Sequence, residues 1–204
     1  MRSLLACGAA LLALFAGRPG SITPSRSFVS EASAAVSIAY TLEQLVAESP
    51  TVQLVEVAER RSAWALVGGS RRIVTYTRLR RLASIRGETT EEVWVRTLGG
   101  VVDRIGQQVT GEAVFTAGER AVVFLTRAVD GVWVVTGMGQ GHYPIRPDRA
   151  RGDELRLAAS PLVGELLKRR AQSETAHARL VGAAVDEAIA AIRATKGSTN
   201  DAPR

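Results

Sequence analysis

Between residues 51 and 146 apolar and polar positions alternate with a period of two, and on either side of that block the spacing changes to three and four. A period of two sends successive side chains to opposite faces of a strand; a period near 3.6 lines them along one face of a helix. The alternating block predicts strands at "TVQLVEVAE" (51–59), "RRIVTYTRLRRL" (71–82), "EEVWVRTL" (91–98), "RAVVFLTRA" (120–128) and "GVWVVTGM" (131–138). Their wealth of Val, Thr, Trp, Tyr and Phe suits a pleated, half-buried surface. On the second strand Ile73, Thr75, Thr77 and Leu79 share one face, while Val74 and Tyr76 lie on the other. "HYPIRP" (142–147) adds a short edge piece, because proline cannot donate to a central ladder. Asp130-Gly131 predicts a tight hairpin, and so an antiparallel pair, between the fourth and fifth strands. Strands that follow one another without interleaved helices suggest a small antiparallel barrel or sandwich, and closure removes exposed edges.

Helices flank the block. Thr41-Leu42-Glu43-Gln44 has the Thr-x-x-Gln form of a capping box and predicts a helix over 41–48, ended by Ser49-Pro50. Residues 148–160 read as a charged linker. Ser160-Pro161, an N-cap followed by proline at the first helical position, opens a predicted helix over 161–170. A second is predicted over 174–195, with Leu180, Val181, Ala184, Val185, Ala188, Ile189 and Ile192 in one stripe that docks on the barrel, and Gly197 as its stop. The tail 196–204 is expected to be disordered. The predicted fold is therefore mainly β: a barrel domain with a leading short helix over 41–147, and C-terminal helices over 161–195.

The N-terminal 34 residues belong to another class. Leu4 to Gly17 is an apolar run of 14 residues after Arg2, short of the roughly 20 needed to span a bilayer. It matches the apolar region of a secretory signal, and Ala32-Ser33-Ala34 offers a small-x-small cleavage site. The expectation is a signal peptide over 1–34, no transmembrane helix once it is removed, and an exported chain, periplasmic or extracellular. The only cysteine, Cys7, falls inside that segment; the exported chain would carry no disulfide, thiolate nucleophile or cysteine-ligated metal. Formal charge is +6 for the whole chain, and removal of three arginines and one glutamate with residues 1–34 leaves +4.

Candidate chemistry is sparse. The chain has two histidines, His142 and His177, and no Gly-x-Ser-x-Gly elbow. His177 leads into a helical stripe and reads as a surface polar residue. His142, in "GMGQGHYP", is the one histidine in a setting that suits a base or ligand, with Asp103 as a partner carboxylate. Gly137-Met138-Gly139-Gln140-Gly141 cannot be a phosphate loop, since Pro144 and Pro147 forbid the helix that would follow; a tight corner at the barrel rim is the simpler reading. No cofactor or metal set is found. The strongest binding signal is a stripe on the second strand, where Arg72, Tyr76, Arg78 and Arg80 share a face. Arginine with an aromatic on a barrel strand is one way of gripping single-stranded nucleic acid. It is also the pattern of a plain solvated face. Export argues against nucleic acid, and favours an anionic envelope polymer or an acidic protein.

"RRIVTYTRLRRL", "EEVWVRTLGGVVDRIGQQVTGEAVFTAGERAVVFL" and "VVTGMGQGHYPI" resemble segments of a family of exported proteins from high-GC bacteria of the myxobacterial kind, which transfers no functional residues. More distantly, "GERAVVFL" before a hairpin is similar to the OB-like barrel of netrin-type modules and tissue metalloprotease inhibitors. That resemblance implies a small OB-like barrel. The inhibitors' cysteine wedge has no counterpart outside residues 1–34. The segment 99–115 holds no nucleophile–base pair, phosphate cradle or metal spacing, and reads as a crossover loop at one end of the barrel. The expected function is that of an exported, non-enzymatic binding or interaction module. The alternatives are a hydrolase that uses His142 with a carboxylate and an extracytoplasmic protease-modulating domain.

Overall fold

A computed structural model describes residues 36–87, 90–170 and 174–196. The segment 1–34, expected to be a signal peptide, and nearly all of the tail 196–204, expected to be disordered, lie outside the described residues. Among those described, no helix is long and apolar enough to cross a membrane.

The chain runs β1 (Val36–Ile38), α1 (Leu42–Ala47), β2 (Thr51–Val67), β3 (Ser70–Arg86), β4 (Glu92–Leu98), β5 (Gly100–Val102), β6 (Ile105–Gln107), β7 (Arg120–Arg127) and β8 (Trp133–Val135). It continues through a 3-10 turn (Met138–Gly141), β9 (His142–Asp148), β10 (Glu154–Leu157), β11 (Glu165–Leu167), α2 (Ala176–Leu180) and α3 (Val185–Ala194). The capping box forms as predicted: Thr41 Oγ1 accepts from Gln44 N–H (3.2 Å) and Gln44 Oε1 from Thr41 N–H (3.0 Å).

Five strands close a ring in the order β2–β3–β4–β8–β7 and back to β2. Every seam is antiparallel except β4–β8, which is parallel through Val95 and Trp133. This is the strand order of an OB-like barrel, mainly β with its longer helix at the C-terminus. β9 and β10 extend the sheet from β7 outside the ring.

β7 explains why "AVVFL" is apolar throughout. Ala121, Val123 and Leu125 face the barrel interior with Val55, Leu79, Val95 and Phe115. Val122 and Phe124 face outward into a second core with Leu45, Tyr143, Leu180 and Ile192. A strand covered on both faces loses its alternation.

Four sequence expectations are corrected. β2 and β3 are each 17 residues long and meet at a Gly68-Gly69 turn, so the hairpin extends well past the predicted ends at 59 and 71. Residues 148–160 are no linker: they hold a 3-10 turn over Arg149–Arg151 and β10, which pairs with β9. The helix predicted over 161–170 is absent, and β11 pairs in parallel with β1 instead. Gly164 sits at φ +71, outside helical backbone, and the Ser160 hydroxyl that would cap the helix meets His142 Nδ1 at 3.0 Å. Finally, the helix predicted over 174–195 breaks in two. Gly182 takes φ +84, donates its N–H to Leu157 O (2.8 Å), and Leu157 N–H donates to Ala183 O (3.0 Å). The break is pinned by the end of β10.

Candidate functional site

The predicted basic stripe divides into two parts. Arg78 and Arg80 are neutralised across the sheet: Arg78 lies 3.3 Å from Glu59 and 3.1 Å from Glu92, and Arg80 lies 2.9 Å from Glu56. The register Glu59–Arg78 and Glu56–Arg80 puts each arginine beside a carboxylate on β2, in partly exposed pairs worth about 0–1 kcal/mol each. Tyr76 is half-buried, opposite Arg61 on β2 and Arg96 on β4. Arg96 is itself clamped by Asp130 at 2.5 and 3.2 Å. Arg72 alone of the four stripe residues stands on the outer reach of the hairpin, exposed and without an ion pair among the described residues. The structure does not bring the stripe together as one open anion site.

His142 is fully buried at the start of β9. Its partners are Ser160 (Nδ1 to Oγ, 3.0 Å), Glu119 (Nε2 to Oε1, 3.3 Å) and the ring of Phe115, tilted against it with 4.4 Å between centroids. Arg146 completes the cluster by a hydrogen bond to Glu119 Oε2. Asp103, the carboxylate paired with His142 on sequence grounds, stands instead in the exposed β5–β6 turn. Neither Glu119 nor Ser160 was legible: the first reads as a turn polar before β7, the second as a helix cap.

Burial holds the His142 imidazole below its ordinary value, with Glu119 only partly offsetting it. Burial works to raise Glu119, but the His142 contact and the Arg146 guanidinium outweigh it and hold the carboxyl below its usual range. A neutral imidazole beside a carboxylate then carries its proton on Nε2, and Nδ1 accepts from the Ser160 hydroxyl. The 3.3 Å approach to Glu119 falls short of a directed hydrogen bond, so Nε2 and Oε1 remain weakly satisfied. Serine, histidine and glutamate thus touch in series, yet are buried in the core, and none of the three lines any of five cavities among the described residues.

A pH dependence follows. The native His142 stays neutral while the unfolded chain takes up a proton below about pH 6.5. Stability should therefore fall as pH drops below that value, and fall further below about 4.5 as the Glu119 carboxylate is titrated. His177, half-buried and also held down by burial, acts in the same direction. In chemical denaturation measured across pH, His142→Gln is expected to remove more of the loss just below pH 6.5 than His177→Gln; equal profiles for the parent and His142→Gln would contradict this.

The concave site lies elsewhere. A cavity of about 440 Å³ opens where the segment 98–114 folds over the end of the barrel, lined by Leu98, Gly99, Gly100, Val101, Val109, Val114 and Leu162 among others. β5 approaches β2 and β3 closely enough that a Cβ on Gly100 would stand 2.4 Å from both Ser62 Oγ and Thr75 Oγ1. Thr75 Oγ1 donates to Gly99 O (2.7 Å), and Gln107 Oε1 accepts from Ile73 N–H (3.0 Å), so the loop is fastened to the barrel at both ends of the small hairpin.

Glu112 is the acid in this wall, and it also lines a second cavity of about 230 Å³ with Arg96, Val67, Val135 and Met138. Its carboxylate accepts Leu98 N–H and Ala113 N–H, both at 3.0 Å. Burial raises its carboxyl above the usual range, against the pull of those two hydrogen bonds. Arg60 lines the first cavity on its exposed side and has no ion pair among the described residues. Among the residues lining that cavity there is no Ser, Cys, His, Lys or Tyr. No three His, Cys, Asp or Glu side chains converge as metal ligands among the described residues. Compared with protein families, curated proteins and solved structures, the chain matches none.

Proposed function

We propose that the protein is an exported, non-enzymatic binding module that holds a small ligand in the cavity beneath the 98–114 segment. The supporting observation is a concave, mostly apolar chamber at the end of the barrel, with one buried carboxylate, Glu112, as the only acid among its lining residues, beside the polar side chains of Arg60, Thr75, Thr97, Gln107 and Gln108. A carboxylate with one N–H on each oxygen keeps acceptor capacity for a donor-bearing ligand, such as an ammonium or amide. Export rests on the apolar run and cleavage pattern in residues 1–34.

The hydrolase reading draws support from the contact of Ser160, His142 and Glu119. Against it stands their burial, which leaves a substrate carbonyl no approach to the hydroxyl. An amine- and amide-rich compound library tests the two readings together. Hits should stabilise the parent protein thermally, lose at least roughly tenfold in affinity in Glu112→Gln, and fail to bind Leu162→Trp, which fills the cavity. Labelling of Ser160 by a fluorophosphonate, or hits indifferent to both substitutions, would overturn the cavity reading.

A further inference from the structure

We infer that the outer end of the β2–β3 hairpin is a docking arm for anionic phospholipid bilayers. β4 pairs with β3 only from Val74 to Arg80, and β7 pairs with β2 only from Thr51 to Glu56. Beyond those limits, and past the fastening of Ile73 to Gly99 and Gln107, residues 65–72 form a two-stranded arm with Trp64 at its base, a form that is marginal in water on its own.

The arm's composition is one-sided. Residues 60–76 contain Arg60, Arg61, Arg71 and Arg72, and neither Asp nor Glu. None of these four arginines forms an ion pair among the described residues, in contrast to Arg78 and Arg80 nearer the barrel. Arg71 instead lies over the Trp64 ring at 4.8 Å, and Arg61 over Trp94 at 4.4 Å. Of the acids close to its base, Glu59 is taken up by Arg78, and Glu112 is buried in the cavity wall that it shares with Arg60.

Charge alone would suit any polyanion, but the same arm spends apolar surface on water. Leu66 is 74 % exposed and Trp64 38 % exposed, on the one face they share through the period of two. Leu66 pairs directly with Arg71. A soluble polyanion gains nothing from Leu66. A bilayer does: the leucine enters the acyl boundary, tryptophan sits at the headgroup level, Arg71 on the same face binds lipid phosphate with its stem along the leucine, and Arg72 on the opposite face meets the headgroups around the ribbon's edge.

Trp64, Leu66, Arg71 and Arg72 line neither of the two cavities beside Glu112, so the failure of this proposal would leave the cavity reading standing. The test uses the full chain with vesicles of equal parts phosphatidylglycerol and phosphatidylcholine, some with brominated acyl chains. Binding is expected to weaken with added salt and to fall roughly ten- to thirtyfold in Arg71→Ala/Arg72→Ala, at about 1 kcal/mol per arginine. Arg78→Ala/Arg80→Ala should change it by no more than about twofold, since those charges are already paired. Brominated lipid should quench tryptophan fluorescence, and Trp64→Phe should abolish that quenching while the far-UV spectrum stays native. Binding without Trp64 quenching, equal binding to pure phosphatidylcholine, or indifference to Arg71 and Arg72 would each overturn the proposal. Retention on a soluble polyanion with no lipid quenching would do so as well.

Discussion

Removing residues 174–204 is expected to leave the barrel without most of its stability. Leu180 and Ile192 are fully buried in the outer core, where they meet Leu45, Phe124 and Tyr143. At about 1.5–3 kcal/mol each, these two side chains contribute roughly 3–6 kcal/mol before ordering costs. Their loss also opens the outer core over β7, where Leu45 and Tyr143 alone cannot replace them, and it removes the Thr195 carbonyl that accepts from Arg86 at 3.1 Å. A domain of this kind has about 5–15 kcal/mol in total, so the truncated chain should unfold at a far lower denaturant concentration, or fail to fold cooperatively. Leu180→Ala is the milder form, with an expected cost of about 2–5 kcal/mol. A truncated chain with the parent's unfolding midpoint would show that α2 and α3 do not hold the core.

Glu119→Ala should be the most damaging polar substitution. The Glu119 side chain is 1 % exposed and faces both His142 and Arg146. Its removal leaves the buried Nε2 of His142 without any acceptor. The expected cost is about 3 kcal/mol, the low end for breaking a buried pair, because the Arg146 side chain is 49 % exposed and can return to water. Glu119→Gln, which keeps the shape and an acceptor, should cost less. The order Ala, Gln, parent in rising stability distinguishes an electrostatic clamp from simple packing; a Glu119→Ala variant as stable as the parent would show that the cluster contributes nothing.

Much of the barrel was legible because its signals are local. Period-two alternation marked the strands, Asp130-Gly131 the β7–β8 hairpin, and Thr41-x-x-Gln44 the first helix. What escaped was set by distant partners. The closing β4–β8 seam joins residues far apart in the chain, and nothing in "EEVWVRTL" announces a parallel neighbour. Arg60-Arg61-Ser62 looks like the end of a strand, yet the register with Thr77, Tyr76 and Thr75 carries β2 on to Val67. The helix expected after Ser160 failed because tertiary structure used the serine for His142 and Gly164 left helical backbone. The site divides in the same way. Arg72, Tyr76, Arg78 and Arg80 were read correctly as one face, but the carboxylates that silence Arg78 and Arg80 are placed by register, which alternation alone does not give. His142 was singled out for its setting, whereas Glu119 and Ser160 come from segments with no motif of their own.

Amide chemical-shift mapping of a library hit on the isotopically labelled protein is the most direct test of the cavity as the binding site. The account predicts saturable shifts at Gly99, Gly100, Gly106, Val109 and Ala113, with residues around His142 and the Gly68-Gly69 turn unmoved and the compound unchanged. Shifts centred on His142 and Ser160, or conversion of the compound during the titration, would contradict it.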